Sequence, residues 1–224
     1  MANGMIATIG FIGLGVMGEP ICANMARKRG ASGKEKGGEQ GGEKGGERII
    51  AFDLSPAPLE RLAADGVTAM ASMAALADEA DLIILSLPGG REVENVCLAE
   101  GGLIETARPG TIIVDTSTTP VDLTRSLHER FAARDIVFVD APVARTRQAA
   151  REGKLSIMVG ATPEVFDRLR PYLETAGSDV TRCGEIGCGQ IVKILNNMIL
   201  FQNVVALAEA ISIGGASGID EAVL

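Results

Sequence analysis

Short apolar runs alternate with helix-like segments along almost the whole chain. The runs are continuous rather than alternately apolar and polar, as in "LIILSLP" and "TIIVD". Continuous apolar strands are typical of parallel strands that are covered by helices on both faces. The sequence therefore predicts an α/β fold built on a doubly wound, mostly parallel sheet.

The order of the predicted elements follows from this pattern. Predicted strands cover residues 5–11, 48–53, 67–70, 81–88, 111–117, 136–143, 155–160 and 179–184. Predicted helices cover residues 17–29, 58–66, 73–80, 91–103, 120–135 and 163–177, and one long helix runs from about 189 to 212. The long helix is apolar on most of its faces, so we expect it to bury against a partner chain or a further domain.

Residues 30–47, "GASGKEKGGEQGGEKGGE", interrupt this order. Glycine and interleaved charges bury no apolar surface, which predicts a flexible, solvated loop. An insertion of this kind adds little closure entropy.

The stretch "GLGVMG" places Gly13, Gly15 and Gly18 between a predicted strand and a predicted helix. In a G-x-G-x-x-G turn, the glycines allow a tight turn, close approach to a pyrophosphate, and close packing of helix on strand. The spacing therefore predicts a Rossmann-like dinucleotide-binding domain.

Asp53 ends the second predicted strand, where an acidic residue usually accepts the ribose hydroxyls of the dinucleotide. It follows Gly18 by 35 residues, and removing the glycine-rich loop restores the usual spacing of about 20 residues. Leu54 comes next instead of an arginine that would neutralise a 2′-phosphate, which favours NAD over NADP. The alternative is that Asp53 only caps the following turn.

The long helix carries Lys193 and Asn197, one turn apart on the same face. An ammonium can stabilise a developing alkoxide and donate a proton to it, and the neutral amine can act as the base in the reverse direction. The second role requires a lowered pKa. The apolar neighbours of Lys193 suit that environment: Ile191, Val192, Ile194 and Leu195. The alternative is an ordinary surface lysine.

Composition excludes several classes of function. A formal charge of −8 argues against a nucleic-acid or anionic-membrane partner. No continuous apolar run reaches the roughly 20 residues that span a bilayer, and the N-terminus lacks a signal peptide. The four cysteines show no ligand spacing, so we expect reduced thiols, no metal site and a cytoplasmic protein.

Five stretches in order resemble the 3-hydroxyisobutyrate dehydrogenase, or β-hydroxyacid dehydrogenase, family from Met5 onward. They are "GFIGLGVMGEPICANM", "LPGGREVENV", "DTSTTP", "DAPVARTRQAAREGKLSIMVG" and "GCGQIVKILNN". The resemblance implies NAD(P)-dependent interconversion of a small 3-hydroxy acid and its semialdehyde. It also implies a catalytic role for Lys193 and a positioning role for Asn197.

The same resemblance implies the remaining site residues. The cofactor would contact the glycine turn, including Leu14, Val16 and Met17, and also Leu87, Pro88 and Thr118. Ser117 and Thr118 would lie near the nicotinamide ribose, and Ser117 and Asn196 would also contact the substrate.

The substrate loop departs from the family pattern. After "DAPV" the family has Ser-Gly-Gly, whereas this chain has Ala144, Arg145 and Thr146. Arg145 offers a guanidinium for two-point binding of an oxyanion, and Thr146 offers a hydroxyl. This variant resembles the sulfolactaldehyde reductase branch, but that branch has a serine where this chain has Leu200. The resemblance therefore implies a small anionic substrate, carboxylate or sulfonate; the alternative is that Arg145 is solvent-exposed or faces the cofactor.

We expect a dinucleotide-binding domain over residues 1–186, and a long interdomain helix with the start of a truncated helical domain over 187–224. The resemblance implies a further all-helical C-terminal domain after this helix. We therefore expect either a truncated chain or one whose long helix pairs with another copy as a homo-oligomer. One alternative is a dinucleotide-binding scaffold without turnover. A weaker one is a decarboxylating dehydrogenase of the 6-phosphogluconate type.

Overall fold

The computed structural model describes residues 5–30 and 46–224. Within these residues the strands are β1 (Thr8–Ile12), β2 (Arg48–Phe52), β3 (Thr68–Ala69), β4 (Leu82–Leu85), β5 (Ile112–Asp115), β6 (Val137–Asp140), β7 (Val143–Ala144), β8 (Leu155–Gly160) and β9 (Gly177–Gly184). The helices are α1 (Gly18–Arg29), α2 (Pro56–Ala63), α3 (Met73–Glu79), α4 (Gly90–Leu98), α5 (Leu103–Thr106), α6 (Val121–Ala132), α7 (Arg147–Arg151), α8 (Pro163–Leu173) and α9 (Cys188–Ala216).

The strands form one mostly parallel sheet with the order β3-β2-β1-β4-β5-β6-β8-β7, and β9 pairs with β8. Strands β1 to β6 are parallel, β8 runs antiparallel to β6 and β7, and β9 is parallel to β8. The predicted doubly wound α/β fold of the Rossmann type is therefore confirmed. In this order the chain reverses direction across the sheet between β1 and β4, and ligands bind at that edge in such folds.

Helices cover both faces of the sheet because successive strand side chains point to opposite sides. On one face Leu82 and Ile84 of β4 belong to a core that also contains Met25 of α1 and Leu169 of α8. On the other face Ile83 and Leu85 pack with residues of α3, α4 and α6. The continuous apolar runs of the sequence are explained by this double coverage.

Two predicted elements are divided in the structure. The predicted strand 136–143 ends at Asp140 and resumes as the short β7, because Pro142 has no N–H to donate to a neighbouring strand. The predicted helix 91–103 ends at Leu98, and Gly101 follows in a left-handed conformation with φ +71° before α5 begins. The predicted loop at residues 30–47 lies, over 31–45, outside the described residues.

Helix α9 extends over 29 residues and leaves most of its apolar surface exposed. Only its first turns pack on the sheet, mainly against β8 and β9. By length and composition α9 could cross a membrane, and none of its most apolar stretch is buried within the described part of the chain. Polar residues such as Lys193, Asn197 and Glu209 interrupt its apolar sequence, and one helix of this kind is weak evidence for membrane insertion.

Candidate active site

The glycine turn after β1 is closely packed on itself and on the segment after β4. Gly13 has φ +90°, and a Cβ at this position would lie 2.4 Å from the carbonyl oxygen of Ser86. A Cβ at Gly18 would lie 2.1 Å from the carbonyl oxygen of Gly13. Any side chain at either position would force the backbone apart, so the spacing predicted from sequence has a direct structural cause.

The middle of the turn is open. A Cβ at Gly15 would meet nothing within 4 Å, and Val16 is exposed. Leu14 is buried below them, and Met17 is half-buried at the N-cap of α1. The free N–H groups at the start of α1 and its helix dipole favour an anion at this place. The turn therefore fits the pyrophosphate of a dinucleotide.

Asp53 connects the end of β2 to this turn. Its Oδ2 accepts a hydrogen bond from the Leu14 N–H over 2.6 Å, and its Oδ1 accepts one from the Ser55 N–H over 2.7 Å. The carboxylate thus does cap the following turn, and it also lies beside the glycine turn. Together with Gly15 and Val16 it lines a cleft of about 850 Å³ between α1 and α2.

Four arginines line the same cleft, on α1, α2 and α7: Arg27, Arg61, Arg147 and Arg151. Two of them are paired with acids. Arg61 binds Glu19 through two hydrogen bonds of 2.6 and 2.8 Å, which lower the pKa of the Glu19 carboxyl, and Arg27 binds Asp65 over 3.2 Å. Leu54, directly after Asp53, is 95% exposed.

The loops after β4 and β5 are joined to each other beside the turn. The Leu87 N–H donates to the Ser117 hydroxyl oxygen over 2.9 Å, and Ser117 is buried. Pro88 and Thr118 are exposed next to them in the chain. Four of the predicted site residues therefore lie in two loops that share a hydrogen bond at the carboxyl edge of the sheet.

Lys193 and Asn197 lie on the one partly covered face of α9. In residues 191–200 they alone are half-buried, and the other eight are exposed. Burial lowers the pKa of the Lys193 ammonium. Asn196 is exposed, and its side-chain amide donates to the Asn197 side-chain oxygen over 3.5 Å.

The source of this burial differs from the expectation. The apolar neighbours on α9 were expected to surround the amine, yet Ile191, Val192, Ile194 and Leu195 are 37–48% exposed. They point away from the half-buried face, because residues one and two positions apart on a helix do not share a face. The half-burial of Lys193 therefore does not come from these four neighbours.

Arg145 occupies an unusual backbone conformation with φ +86°. This left-handed region favours glycine, which the related family has at this loop, and costs another residue roughly 1–2 kcal/mol. Both N–H groups of its Nη1 are used: they donate to the Lys154 carbonyl over 2.7 Å and the Ser178 hydroxyl over 3.0 Å. The Thr146 hydroxyl accepts from the Ala149 N–H over 3.3 Å and caps α7.

Three buried polar residues escaped the sequence analysis: Asp115, Asp140 and Gln190. Each is fully buried, and they meet at the carboxyl edge between β5, β6 and α9. The repeated ending of two neighbouring strands, "IIVD" and "VFVD", was the available signal. In the described ranges 5–30 and 46–224, no group of three or more His, Cys, Asp or Glu side chains could hold a metal ion.

Comparison with known proteins identifies the family. The family model of the NAD binding domain of 6-phosphogluconate dehydrogenase matches residues 40–184. The structure of Mycobacterium tuberculosis 3-hydroxyisobutyrate dehydrogenase with L-serine is 32% identical, has a TM-score of 0.81, and is covered over 96% of this chain and 67% of that chain. The chain belongs to the β-hydroxyacid dehydrogenase family.

Two further proteins that are similar to this chain differ from it in length or were solved with a cofactor. A probable 3-hydroxyisobutyrate dehydrogenase from Dictyostelium discoideum is 33% identical over 98% of this chain, which spans only 63% of that relative's length. The structure of Psf3 in complex with NADP⁺ and 2-OPP is 29% identical, with a TM-score of 0.79, covering 95% of this chain and 69% of that one. The resemblance inferred from the five motifs is thus confirmed.

Substitutions in the glycine turn should affect protein stability and NADH binding separately. Gly15→Ala should unfold at the wild-type urea midpoint, because its Cβ meets no protein atom, but should weaken NADH binding about 10-fold by filling the space above α1. Gly18→Ala should instead lower the free energy of unfolding by about 1–3 kcal/mol. Urea unfolding and NADH fluorescence titration measure both effects.

Gly215→Ala is the matched control, since a Cβ there also meets nothing within 4 Å and the position lies far along α9. It should leave NADH binding unchanged. Equal NADH affinity in Gly15→Ala and wild type would contradict the assignment of this turn to the pyrophosphate.

Proposed function

We propose that this chain acts as an NAD-dependent oxidoreductase that interconverts a small 3-hydroxy acid and its semialdehyde. The observation that carries the proposal is the half-buried stripe of Lys193 and Asn197 on α9. Its amine has a pKa lowered by burial. The family relation supports the same reaction class, since relatives named 3-hydroxyisobutyrate dehydrogenase match over nearly all of this chain.

The dinucleotide would be held by Gly13–Gly18 at its pyrophosphate and by Asp53 at its adenosine ribose. When bound, it supplies or accepts the hydride. NAD is favoured over NADP, because the Asp53 carboxylate would repel a 2′-phosphate and Leu54 offers it no charge. Of the four arginines that line the cleft, Arg27 and Arg61 are paired with acids, and Arg147 and Arg151 lie on α7 and not next to Asp53 in the chain.

Lys193 would transfer the proton that accompanies the hydride. As an ammonium it donates to the carbonyl oxygen during reduction, and as a neutral amine it accepts the hydroxyl proton during oxidation. The lowered pKa raises the fraction of neutral amine at any given pH. Asn197, one turn away on the same face, would orient the substrate oxygen, with Asn196 beside it.

The substrate is proposed to be a small anion, carboxylate or sulfonate. The exposed loop residues Arg145 and Thr146 would bind it together with Ser117. Since Nη1 of Arg145 is already engaged, binding would use its Nε and Nη2 groups. L-serine in the structure of the M. tuberculosis relative supports a small acid of this size.

Two broader expectations belong to the same proposal. We place the protein in the cytoplasm, and we propose that it forms a homo-oligomer through α9. The exposed large apolar side chains of α9, such as Ile199, Phe201 and Leu207, support the second expectation.

Lys193→Ala should lower kcat by about 10²- to 10⁴-fold in either direction, because the proton transfer loses its partner. The affinity for NADH should stay within about twofold, since binding of the dinucleotide uses other residues. Steady-state assays with L-serine, 3-hydroxyisobutyrate and their semialdehydes, with NADH or NADPH, measure the first effect. Fluorescence titration measures the second.

Lys154→Ala is the control, because this side chain is 63% exposed and, within residues 5–30 and 46–224, forms an ion pair with Glu152 alone. Its kcat should equal that of the wild type. NADH binding without turnover in wild type and Lys193→Ala alike would instead support a dinucleotide-binding scaffold.

The lowered pKa of Lys193 also predicts opposite pH profiles in the two directions. Oxidation needs the neutral amine, so kcat/KM should rise with pH through a pKa below the ordinary 10.5 and then level off. Reduction needs the ammonium, so kcat/KM should be highest below that pKa and fall above it. Lys193→Arg keeps its proton and should lose the rise in the oxidative direction. The idea fails if both directions change with pH in the same sense.

Substitutions at Arg145 separate its guanidinium from its strained backbone. Arg145→Gly and Arg145→Ala both remove the guanidinium, but only glycine relieves the left-handed conformation. If the guanidinium binds the anion, both variants should raise KM for a sulfonate or carboxylate semialdehyde about 10-fold or more and leave KM for a neutral aldehyde unchanged. An equal rise for charged and neutral substrates would exclude this role.

A further inference from the structure

The carboxyl edge of the sheet holds two buried carboxylates that the proposed chemistry does not use. Asp115 and Asp140 end β5 and β6, lie opposite each other in the strand register, and have no exposed surface. Among the described residues neither forms an ion pair. Buried carboxylates without a cation require hydrogen-bond donors, and those donors show which segments the carboxylates hold.

Asp140 caps the N-terminus of α9 from a different element. The Gly187 N–H donates to its Oδ1 over 2.8 Å, and the Gln190 N–H donates to its Oδ2 over 2.9 Å. Gly187 is the N-cap residue of α9 and has no side chain that could accept these bonds. The negative charge also lies at the positive end of the helix dipole. The start of α9 is therefore fixed relative to β6.

Two glycines leave the space that this carboxylate occupies. A Cβ at Gly160 would lie 2.3 Å from the Asp140 Oδ1. A Cβ at Gly189 would lie 2.3 Å from the Met158 carbonyl oxygen and 2.8 Å from the Asp140 Oδ2. Strand β8 and the first turn of α9 therefore enclose the Asp140 carboxylate closely, so its side chain can cap α9 from only one position.

The Gln190 side chain connects the start of α9 to the loop after β5. Its side-chain amide donates to the Ser117 carbonyl over 2.9 Å, and its side-chain oxygen accepts from the Thr119 N–H over 3.2 Å. Asp115 holds the same loop from below, accepting from the Ser117 N–H over 2.9 Å and the Thr119 hydroxyl over 2.6 Å. The 117–119 loop accepts a hydrogen bond from the Leu87 N–H through the Ser117 hydroxyl. The same loop is thus hydrogen-bonded directly to the first turn of α9.

Gln190, Lys193 and Asn197 share one face of α9, because they are spaced by three and four residues. Along this stripe Gln190 is fully buried, and the other two are half-buried. A shift or rotation of α9 at Gln190 therefore moves the Lys193 amine relative to the 117–119 loop. A displacement of about 1 Å of a reacting group can cost on the order of 100-fold in rate.

We infer that Asp140 and Gln190 are positioning residues, which fix the Lys193 amine against the 117–119 loop without touching substrate or cofactor. Asp140 does so by capping α9, and Gln190 by joining α9 to the loop. This inference rests on the proposed function of Lys193.

The decisive experiment compares Gln190→Ala in two backgrounds of the full-length protein. In the wild-type background it should lower kcat about 10- to 100-fold and change KM and the NADH affinity less than about threefold. In the Lys193→Ala background it should have no further effect on kcat, because a positioning residue acts only through the group it positions. Additive losses in the double variant, or an unchanged kcat in Gln190→Ala alone, would overturn the inference.

Asn24→Ala is the matched control. Asn24 is also a buried amide that donates to main-chain carbonyls, here those of Ala150 and Arg151, but it lies on α1. It should reduce stability as Gln190→Ala does and leave kcat unchanged. A comparable loss of kcat in Asn24→Ala would mean that loss of a buried amide, not misplacement of Lys193, explains the result.

Amide hydrogen exchange tests the same contacts without turnover. Gln190→Ala should speed exchange of the Thr119 N–H, and Asp140→Asn should speed exchange of the Gly187 and Gln190 N–H groups, by about 10-fold or more. Unchanged exchange would overturn the inference even if the wild type proved inactive. Full activity of Lys193→Ala would refute the proposed function, whereas an inactive Lys193→Ala with a fully active Gln190→Ala would refute only the positioning role.

Discussion

Two carboxyl groups placed side by side inside the protein determine how the site is assembled. Asp115 and Asp140 face each other on adjacent parallel strands, and burial raises the pKa of both carboxyls. Water does not reach them, so main-chain N–H groups and a hydroxyl have to take its place. The segments that supply these groups, the loop after β5 and the start of α9, are therefore drawn to the same edge of the sheet.

The cofactor side of the site depends on a different kind of constraint, namely the lack of side chains. Gly13 and Gly18 permit the turn after β1 to touch both itself and Ser86 after β4. The carboxyl ends of β1 and β4 are neighbours only because the strand order reverses there. Hydrogen bonds thus hold together the segments around Lys193, and close backbone packing holds together the segments around the glycine turn.

Local patterns were sufficient to predict the fold and the residues whose role is local. The glycine spacing, Asp53 and the shared face of Lys193 and Asn197 each depend on a few neighbouring residues. In the structure Asp53 lies beside the glycine turn, and Lys193 and Asn197 are the half-buried residues of one face of α9. Asp140 and Gln190 were missed because their partners lie 47 to 73 residues away in the chain. No period or short motif reports such pairings before the sheet order is known.

The neighbours of Lys193 show a second limit of sequence reasoning. An apolar sequence around a lysine suggests an apolar environment, yet on a helix the adjacent residues point elsewhere. Burial of the amine is a property of its face, as the alternation of half-buried and exposed positions in residues 191–200 shows. Arg145 is a similar case, since only coordinates reveal that it takes a conformation suited to glycine.

The chain leaves α1 and enters β2 at almost the same point. Gly30 and Glu47 form a parallel bridge, the Glu47 N–H donates to the Arg29 carbonyl, and the side chains of Arg29 and Glu47 form an ion pair. These contacts hold the end of α1 beside the start of β2, so the number of residues between Gly30 and Glu47 does not set the pairing of β1 with β2. Homologous proteins could gain or lose residues here, and an engineer could graft a tag or a reporter domain, without altering the nucleotide pocket.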